Sequence, residues 1–328
     1  MRTLITGGTG FTGTHLARRL LAKGHDVTLL DYKPGLFKVE LEEKGAHFVM
    51  GSVTDKALVE RVSAGLDVIY HLAAAFRQIS EPKEFYWDVN VEGTRNVLNA
   101  AEKHSVAKVV HCSTGGVHDG KNEMPWKEDS PIAPRDYYQI TKWEGEQVCQ
   151  EFIKKGLDIT IVRPTSEYGP GDVHGMRFLY RMARTGRFIM FGSGMGTIHP
   201  IYIDNLTDFF ELVTDLPAAK GRTYIAADEA PVTLNDLVKA VGKSMNVDVR
   251  IIHLPFYWPL WSASAAIEFA CKPLKISPPL FRRRVKWFKN LRAYNIDRAK
   301  TELNFQPRIS LEHGLKQTAD WYRNAGYL

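Results

Sequence analysis

The stretch YQITK (138–142) sets a tyrosine and a lysine four positions apart. On a helix that spacing places Tyr138 and Lys142 on one face. An ammonium ion there favours phenolate and lowers a pKa that is ordinarily about 10. A phenol tuned in this way can exchange a proton with a substrate hydroxyl near neutral pH. The same pattern also fits an aromatic residue beside a charge on a solvated helix face, so the rest of the chain has to distinguish the two.

A second pattern lies at the start. TGGTGFTG (6–13) holds Gly7, Gly10 and Gly13 at three-residue intervals and also reads as G-x-G-x-x-G from Gly8. Glycine permits a tight strand-to-helix turn and lets backbone N–H groups approach a pyrophosphate, at which the following helix directs its positive end. Asp31 stands 18 residues after Gly13, at the end of a second strand-like run. A carboxylate there accepts hydrogen bonds from ribose hydroxyls and repels a 2′-phosphate, so the expected cofactor is NAD rather than NADP.

These groups need a scaffold, and the sequence supplies its pattern. TLIT, DVTLLD, HFVMG, DVIYHLA, KVVHCST and DITIVRP are short apolar runs separated by helix-sized intervals. Runs with little alternation suit parallel strands covered on both faces, and repeated βαβ units imply a doubly wound sheet. The expected fold is α/β: a Rossmann-type parallel sheet with a smaller mixed C-terminal lobe. Residues 1–169 form the NAD-binding part, to which 199–227 return through the strand-like HPIYI and the helix after it. Residues 170–198 and 228–328 form the substrate lobe. KVVHCST ends in hydroxyls at the strand edge where ligands gather in such sheets.

Bulk properties agree with a soluble globular chain of 328 residues, 44% hydrophobic and 24% charged. A net charge of +6 suits an anionic cofactor or membrane surface without implying nucleic acid. Cys112, Cys149 and Cys271 are too scattered for a disulfide framework, and no histidine or carboxylate spacing suggests a metal site. The N-terminal residues lack the pattern of a signal peptide. The longest apolar region, PFYWPLWSASAAI, falls short of the roughly 20 residues that span a bilayer. The expected location is the cytoplasm, with or without contact at a membrane.

Taken together, TGGTGFTG, HLAA, NVEGTRNVLNAA, STGGV, YYQITK, RPTSEYGPGD and HPIYIDNLTD resemble the extended short-chain dehydrogenase/reductase family, the NAD-dependent epimerase/dehydratase group, over nearly the whole chain. The resemblance implies a catalytic set of hydroxyl, tyrosine and lysine. Tyr138 and Lys142 match directly, and counting back from Val117 gives Thr114, with Ser113 the alternative. It also implies a cofactor site of Gly7, Gly10, Phe11, Thr12, Gly13, Asp31, Ser52, Val53, Leu72, Ala73, Ala74, Ser113, Tyr138, Lys142 and Pro164, and a homodimer built on the helices of NVEGTRNVLNAAEK and YYQITKWEGEQV. Ser113, Gly115, Arg177 and His199 are the expected substrate contacts.

Departures from the family narrow the reaction. Gly115-Gly116 replaces the Asp-Glu pair of nucleotide-sugar dehydratases, and Ile198 stands where nucleotide-sugar epimerases carry a diphosphate-gripping arginine. The remaining substrates are a sterol- or hydroxysteroid-like alcohol and a nucleotide sugar undergoing 4-epimerisation. The aromatic segment from Leu254 reads either as core of the C-terminal lobe or as an apolar lid or interfacial helix. Arg282, Arg283, Arg284, Lys286, Lys289 and Arg292 follow it, so 255–292 could also touch a membrane.

Overall fold

The computed structural model describes residues 1–76, 81–119, 124–255, 257–271, 285, 287–289 and 291–328. Arg282, Arg283, Arg284 and Lys286 lie outside the described residues. Strands β1 (Arg2–Thr6), β2 (Asp26–Asp31), β3 (His47–Met50), β4 (Val68–His71), β5 (Lys108–Cys112) and β6 (Ile159–Pro164) alternate with helices α1 (Phe11–Ala22), α2 (Lys38–Glu43), α3 (Lys56–Val62), α4 (Lys83–Trp87), α5 (Gly93–Lys103) and α6 (Tyr137–Lys154). With β11 (Thr223–Ala226) the strands form a seven-stranded parallel sheet in the order β3-β2-β1-β4-β5-β6-β11.

Burial follows from that order. The residues of β4 and β6 are buried throughout, as a strand flanked by helices on both faces must be. Alternate residues point to opposite faces. Ile5, Tyr70, Val110 and Val162 join one apolar cluster, and Leu4, Ile69, Val109 and Ile161 the other. The first cluster continues to Phe209, Tyr224, Leu237 and Leu315, so the C-terminal half shares a core with the sheet.

The strand order reverses between β1 and β4, where Thr6 pairs with both Leu30 and His71. A crevice opens at the carboxyl ends of strands at such a point.

Outside the sheet, β7 (Ser166–Tyr168) pairs with β10 (Pro200–Tyr202), β8 (Arg187–Phe191) with β13 (Arg250–Leu254), and β9 (Thr197–Ile198) with β12 (Val232–Thr233). The HPIYI run therefore pairs with β7, and β11 is the strand that rejoins the main sheet. Helix α7 (Arg177–Ala183) precedes β8, and helix α8 (Ile203–Asp215) connects β10 to β11. Helix α9 (Leu234–Ser244) is capped by Thr233, α11 covers Asp297–Leu303, and α12 (Leu311–Asn324) is capped by Ser310.

Helix α10 (Trp258–Cys271) corrects the reading of the aromatic segment as core. Ser264 is its one buried residue, while Trp258 and Phe269 are 71% and 82% exposed. Tyr257 and Leu260 alone anchor this stretch to the main cluster among the described residues.

Candidate active site

The glycine loop links β1 to α1 by contacts that leave no room for side chains. Gly7 has φ +70°, which favours glycine, and its N–H donates to the Leu30 carbonyl at 2.8 Å. A Cβ on Gly13 would sit 2.3 Å from the Gly7 oxygen, and one on Gly7 would sit 2.9 Å from the Ala73 nitrogen. Helix α1 starts after Gly10 with no side-chain cap and no acidic residue in its first turn. Its free N–H groups and dipole therefore favour an anion at this end.

Asp31 ends β2 and accepts hydrogen bonds from the Thr9 N–H (3.2 Å) and hydroxyl (2.8 Å). Burial raises its pKa, and those two bonds oppose the rise. Phe11 packs edge-on to His15, and the Thr12 hydroxyl donates to Glu167 at 2.5 Å. The Ser52 hydroxyl receives the Thr54 N–H at 3.1 Å, and buried Val53 offers its carbonyl to Asn96. Leu72, Ala73 and Ala74 are half-buried at the end of β4, and Pro164 is buried at the end of β6. The closely packed glycine backbone, the uncapped helix end and the carboxylate fit the pyrophosphate and ribose of a dinucleotide.

Under the loop, the Thr6 hydroxyl accepts from the Ala73 N–H at 3.2 Å and lies 2.7 Å from His71 Nδ1. The Thr94 hydroxyl donates to the Asn90 carbonyl, so His71 Nε2–H donates to Thr94 at 3.0 Å. Burial pushes the pKa of the ring down to about 3, which keeps it neutral, so its Nδ1 accepts from the Thr6 hydroxyl.

Helix α6 opens with a capping box in which Asp136 accepts from the Gln139 N–H and Gln139 reaches back to the cap. That box fixes the first turn, which carries Tyr138. The Tyr138 ring lies 4.7 Å from Phe76, and Lys142, one turn on, is 1% exposed. Burial lowers the Lys142 pKa, against the Glu146 carboxylate, which raises it.

The structure distinguishes the two hydroxyls at the end of β5. Ser113 is buried and donates to Glu146, which is bound to Arg163 at 2.6 and 2.9 Å. Arg163 in turn meets His118 Nε2 at 2.7 Å and the Glu128 carbonyl at 2.8 Å. Thr114 is half-buried and accepts the Gly116 N–H at 3.1 Å, capping the short turn Gly115–His118. Ser113 thus serves the buried ion pair, and Thr114 is the hydroxyl at the strand edge.

Two expected substrate contacts are engaged elsewhere. His199 is 1% exposed, its Nε2–H donating to the Asp228 carbonyl (2.8 Å) and its Nδ1 accepting the Tyr294 N–H (3.2 Å), so it joins backbone segments. The Arg177 guanidinium lies 4.5 Å from the centre of the Tyr327 ring, at the C-terminal end of the chain. Gly115 is covered by Tyr294, whose ring a Cβ would meet at 3.0 Å.

Sequence reading missed Asn90. It sits buried in the π-helical turn Asp88–Glu92, accepting the Ala75 N–H (2.8 Å) and donating to Thr141 in α6 (2.9 Å). It ties the end of β4 to the helix of Tyr138, and a polar residue inside NVEGTRNVLNAA was its signal.

The family model described as "NAD dependent epimerase/dehydratase family" matches residues 3–227. The chain is 31% identical to N-acetyl-alpha-D-glucosaminyl-diphospho-ditrans,octacis-undecaprenol 4-epimerase of Escherichia coli O157:H7 over 77% of its own length and 75% of that protein. It is 28% identical to the decarboxylating sterol-4-alpha-carboxylate 3-dehydrogenase of Schizosaccharomyces pombe, over 98% and 97% of the two chains. Among solved structures it is similar to UDP-glucose 4-epimerase of Thermotoga maritima with UDP-glucose, at 25% identity and a TM-score of 0.80 over 99% of each chain.

Proposed function

Because this chain belongs to the NAD-dependent epimerase/dehydratase family, and so is an NAD-dependent enzyme, we propose that it oxidises a secondary alcohol of a sterol- or hydroxysteroid-like substrate. When bound, NAD⁺ accepts the hydride from the carbinol carbon. Tyr138 takes the hydroxyl proton, leaving a ketone. Lys142 stabilises the phenolate from one turn below, and the Thr114 hydroxyl holds the carbinol oxygen. The observation that carries this reading is the placing of a capped helix bearing Tyr138 and buried Lys142 beside a strand end bearing Thr114.

The apolar substrate is supported by the exposed aromatic side chains of α10 and by the apolar Ile198 in β9. The sterol relative is similar over nearly the whole chain, as is the Thermotoga nucleotide-sugar epimerase, so the extent of the match favours neither substrate class. We assign 1–169 with 199–227 to cofactor binding, and 170–198 with 228–328 to substrate. A membrane contact through 255–292 and a homodimer through α5 and α6 belong to the same proposal.

An assay at 340 nm with NAD⁺ and a panel of 3β-hydroxysteroids and UDP-sugars tests the reading. Growth of NADH with a steroid supports it. Interconversion of UDP-glucose and UDP-galactose without net NADH would replace it with the second reading, a nucleotide-sugar 4-epimerase, which the likeness to the Thermotoga enzyme favours.

A further inference from the structure

Strands β8 and β13 form a two-stranded parallel sheet apart from the main one. In β8, Phe188 and Met190 are buried in the larger apolar cluster. Residues two apart on a strand share a face, so Arg187, Ile189 and Phe191 turn the other way. The register sets Arg187 beside Arg250, Ile189 beside Ile252 and Phe191 beside Leu254. This second face therefore carries a row of arginines followed by two apolar rows.

The apolar rows are not core. Ile189, Ile252 and Leu254 are 41%, 39% and 37% exposed and stand outside both apolar clusters. The arginine row is equally unusual. Like charges directly opposite one another on neighbouring strands are destabilising. Arg187 and Arg250 are both exposed, and neither makes a salt bridge among the described residues. An anion bridging the two guanidinium groups would relieve that repulsion.

Polarity thus changes along the strands in one direction. At roughly 3.3 Å per residue, the three rows span about 13 Å from the arginines to Leu254. Beyond Leu254 the chain passes through exposed Pro255 into α10, where Trp258, Trp261 and Phe269 are exposed. Cations, then aliphatic rows, then aromatic side chains follow the order of an anionic bilayer surface read inwards. Apolar faces that lie in such a surface sink about 5–10 Å below its headgroups, a depth that the two apolar rows supply. A second copy of the chain fits less well. Paired head to tail, each arginine row would lie on apolar side chains; paired head to head, four cations would meet. Either arrangement buries unpaired charge.

We infer that the β8–β13 face is a lipid-docking surface, with Arg187 and Arg250 at the phosphates of an anionic bilayer and Ile189, Ile252 and Leu254 reaching its acyl boundary. This rests on the membrane contact proposed above for 255–292 and extends it to a second, independently folded element.

The test is co-sedimentation of the full chain with vesicles of equal parts phosphatidylglycerol and phosphatidylcholine. Ile189→Thr with Ile252→Thr keeps the β-branched shape and should weaken binding about tenfold. Arg187→Gln with Arg250→Gln should weaken it by a similar factor and make it less sensitive to salt. These side chains are in solvent, so urea midpoints and NAD⁺ affinity should match the parent; if the threonine pair does not fold, Leu254→Ser at the end of the strand serves instead. Parental binding by the isoleucine variants overturns the inference, and if Trp258→Ser with Phe269→Ser still releases the protein, α10 is the contact by itself. Weakening by the sheet variants and not by the α10 pair supports the sheet and removes α10. Weakening by the arginine pair alone marks diffuse attraction to a charged surface and overturns the docking. A parent chain that ignores these vesicles overturns the sheet and α10 together.

Discussion

Tyr138 and Lys142 illustrate what a single residue can and cannot reveal. Their four-residue spacing is local, so their shared helix face is legible in the sequence. Replacing Tyr138 by Phe removes one oxygen and keeps the ring against Phe76. Turnover should fall by about 10²–10⁴-fold, while calorimetry finds NAD⁺ affinity within twofold of the parent; near-normal turnover would remove Tyr138 from the mechanism. His118 gives a second prediction. Burial, then the Arg163 charge, pushes its pKa down to about 4 from 6.5. Between those values the unfolded chain takes up a proton that the folded one refuses. Stability is thus present above pH 6.5 and is lost as pH falls towards 4. From pH 7 to pH 5 the loss is about 2 kcal/mol. Asp228, raised to about 6, acts in the opposite direction, so the measurement must be differential. The urea midpoint of the parent should fall relative to that of His118→Asn as pH drops; parallel slopes would refute the assignment. The partners of His199 lie 29 and 95 positions away, and no reading of nearby residues could have shown that both its nitrogens are occupied.

At the scale of elements, the strands and the loop they position were legible because their signals are composition and period. Buried parallel strands read as unbroken apolar runs, and a strand–glycine–helix junction has few alternatives. Pairing partners are harder to read, since β10 is apolar enough for either sheet and joins β7 through register alone. Weighing Ser113 against Thr114 required Glu146 on a different element, to which the Ser113 hydroxyl donates beside the buried ion pair with Arg163. Losing one member of such a pair typically costs about 3–5 kcal/mol. The glycine loop supplies a sharper test. In Gly13→Ala the new Cβ meets the Gly7 carbonyl at 2.3 Å and the Gly8 Cα at 2.7 Å, so the backbone itself has to move. NAD⁺ affinity should drop at least tenfold, or about 1.4 kcal/mol. Gly24→Ala is the matching control, because a Cβ there meets nothing within 4 Å although φ is +76°. That variant should lose stability through backbone strain and keep its affinity for NAD⁺. Equal affinity in the two variants would mean that the loop does not hold the pyrophosphate.

Across the whole molecule, charge and apolar surface are distributed unevenly in the same direction. Residues 255–292 hold eight lysines and arginines and one acidic residue, Glu268, a net of +7 that leaves the remainder of the chain at −1. The same stretch contains α10, with Trp258, Trp261 and Phe269 exposed, and Lys289 placed 3.9 Å from the centre of the Tyr257 ring. No described helix is long and apolar enough to cross a membrane. Exposed aromatic side chains in a stretch whose sequence is this basic suit the headgroup layer of an anionic bilayer, where each basic residue near the surface contributes about 1 kcal/mol. Full-length protein should therefore co-sediment with vesicles of equal parts phosphatidylglycerol and phosphatidylcholine, and remain in the supernatant with phosphatidylcholine alone. Raising salt to about 0.5 M shortens the Debye length to a few ångströms and should release most of it. A double substitution of Trp258→Ser and Phe269→Ser touches side chains already in solvent, so it should fold normally and bind the anionic vesicles more weakly. If the parent protein partitions identically with and without phosphatidylglycerol, the exposed face of α10 serves something other than a lipid surface.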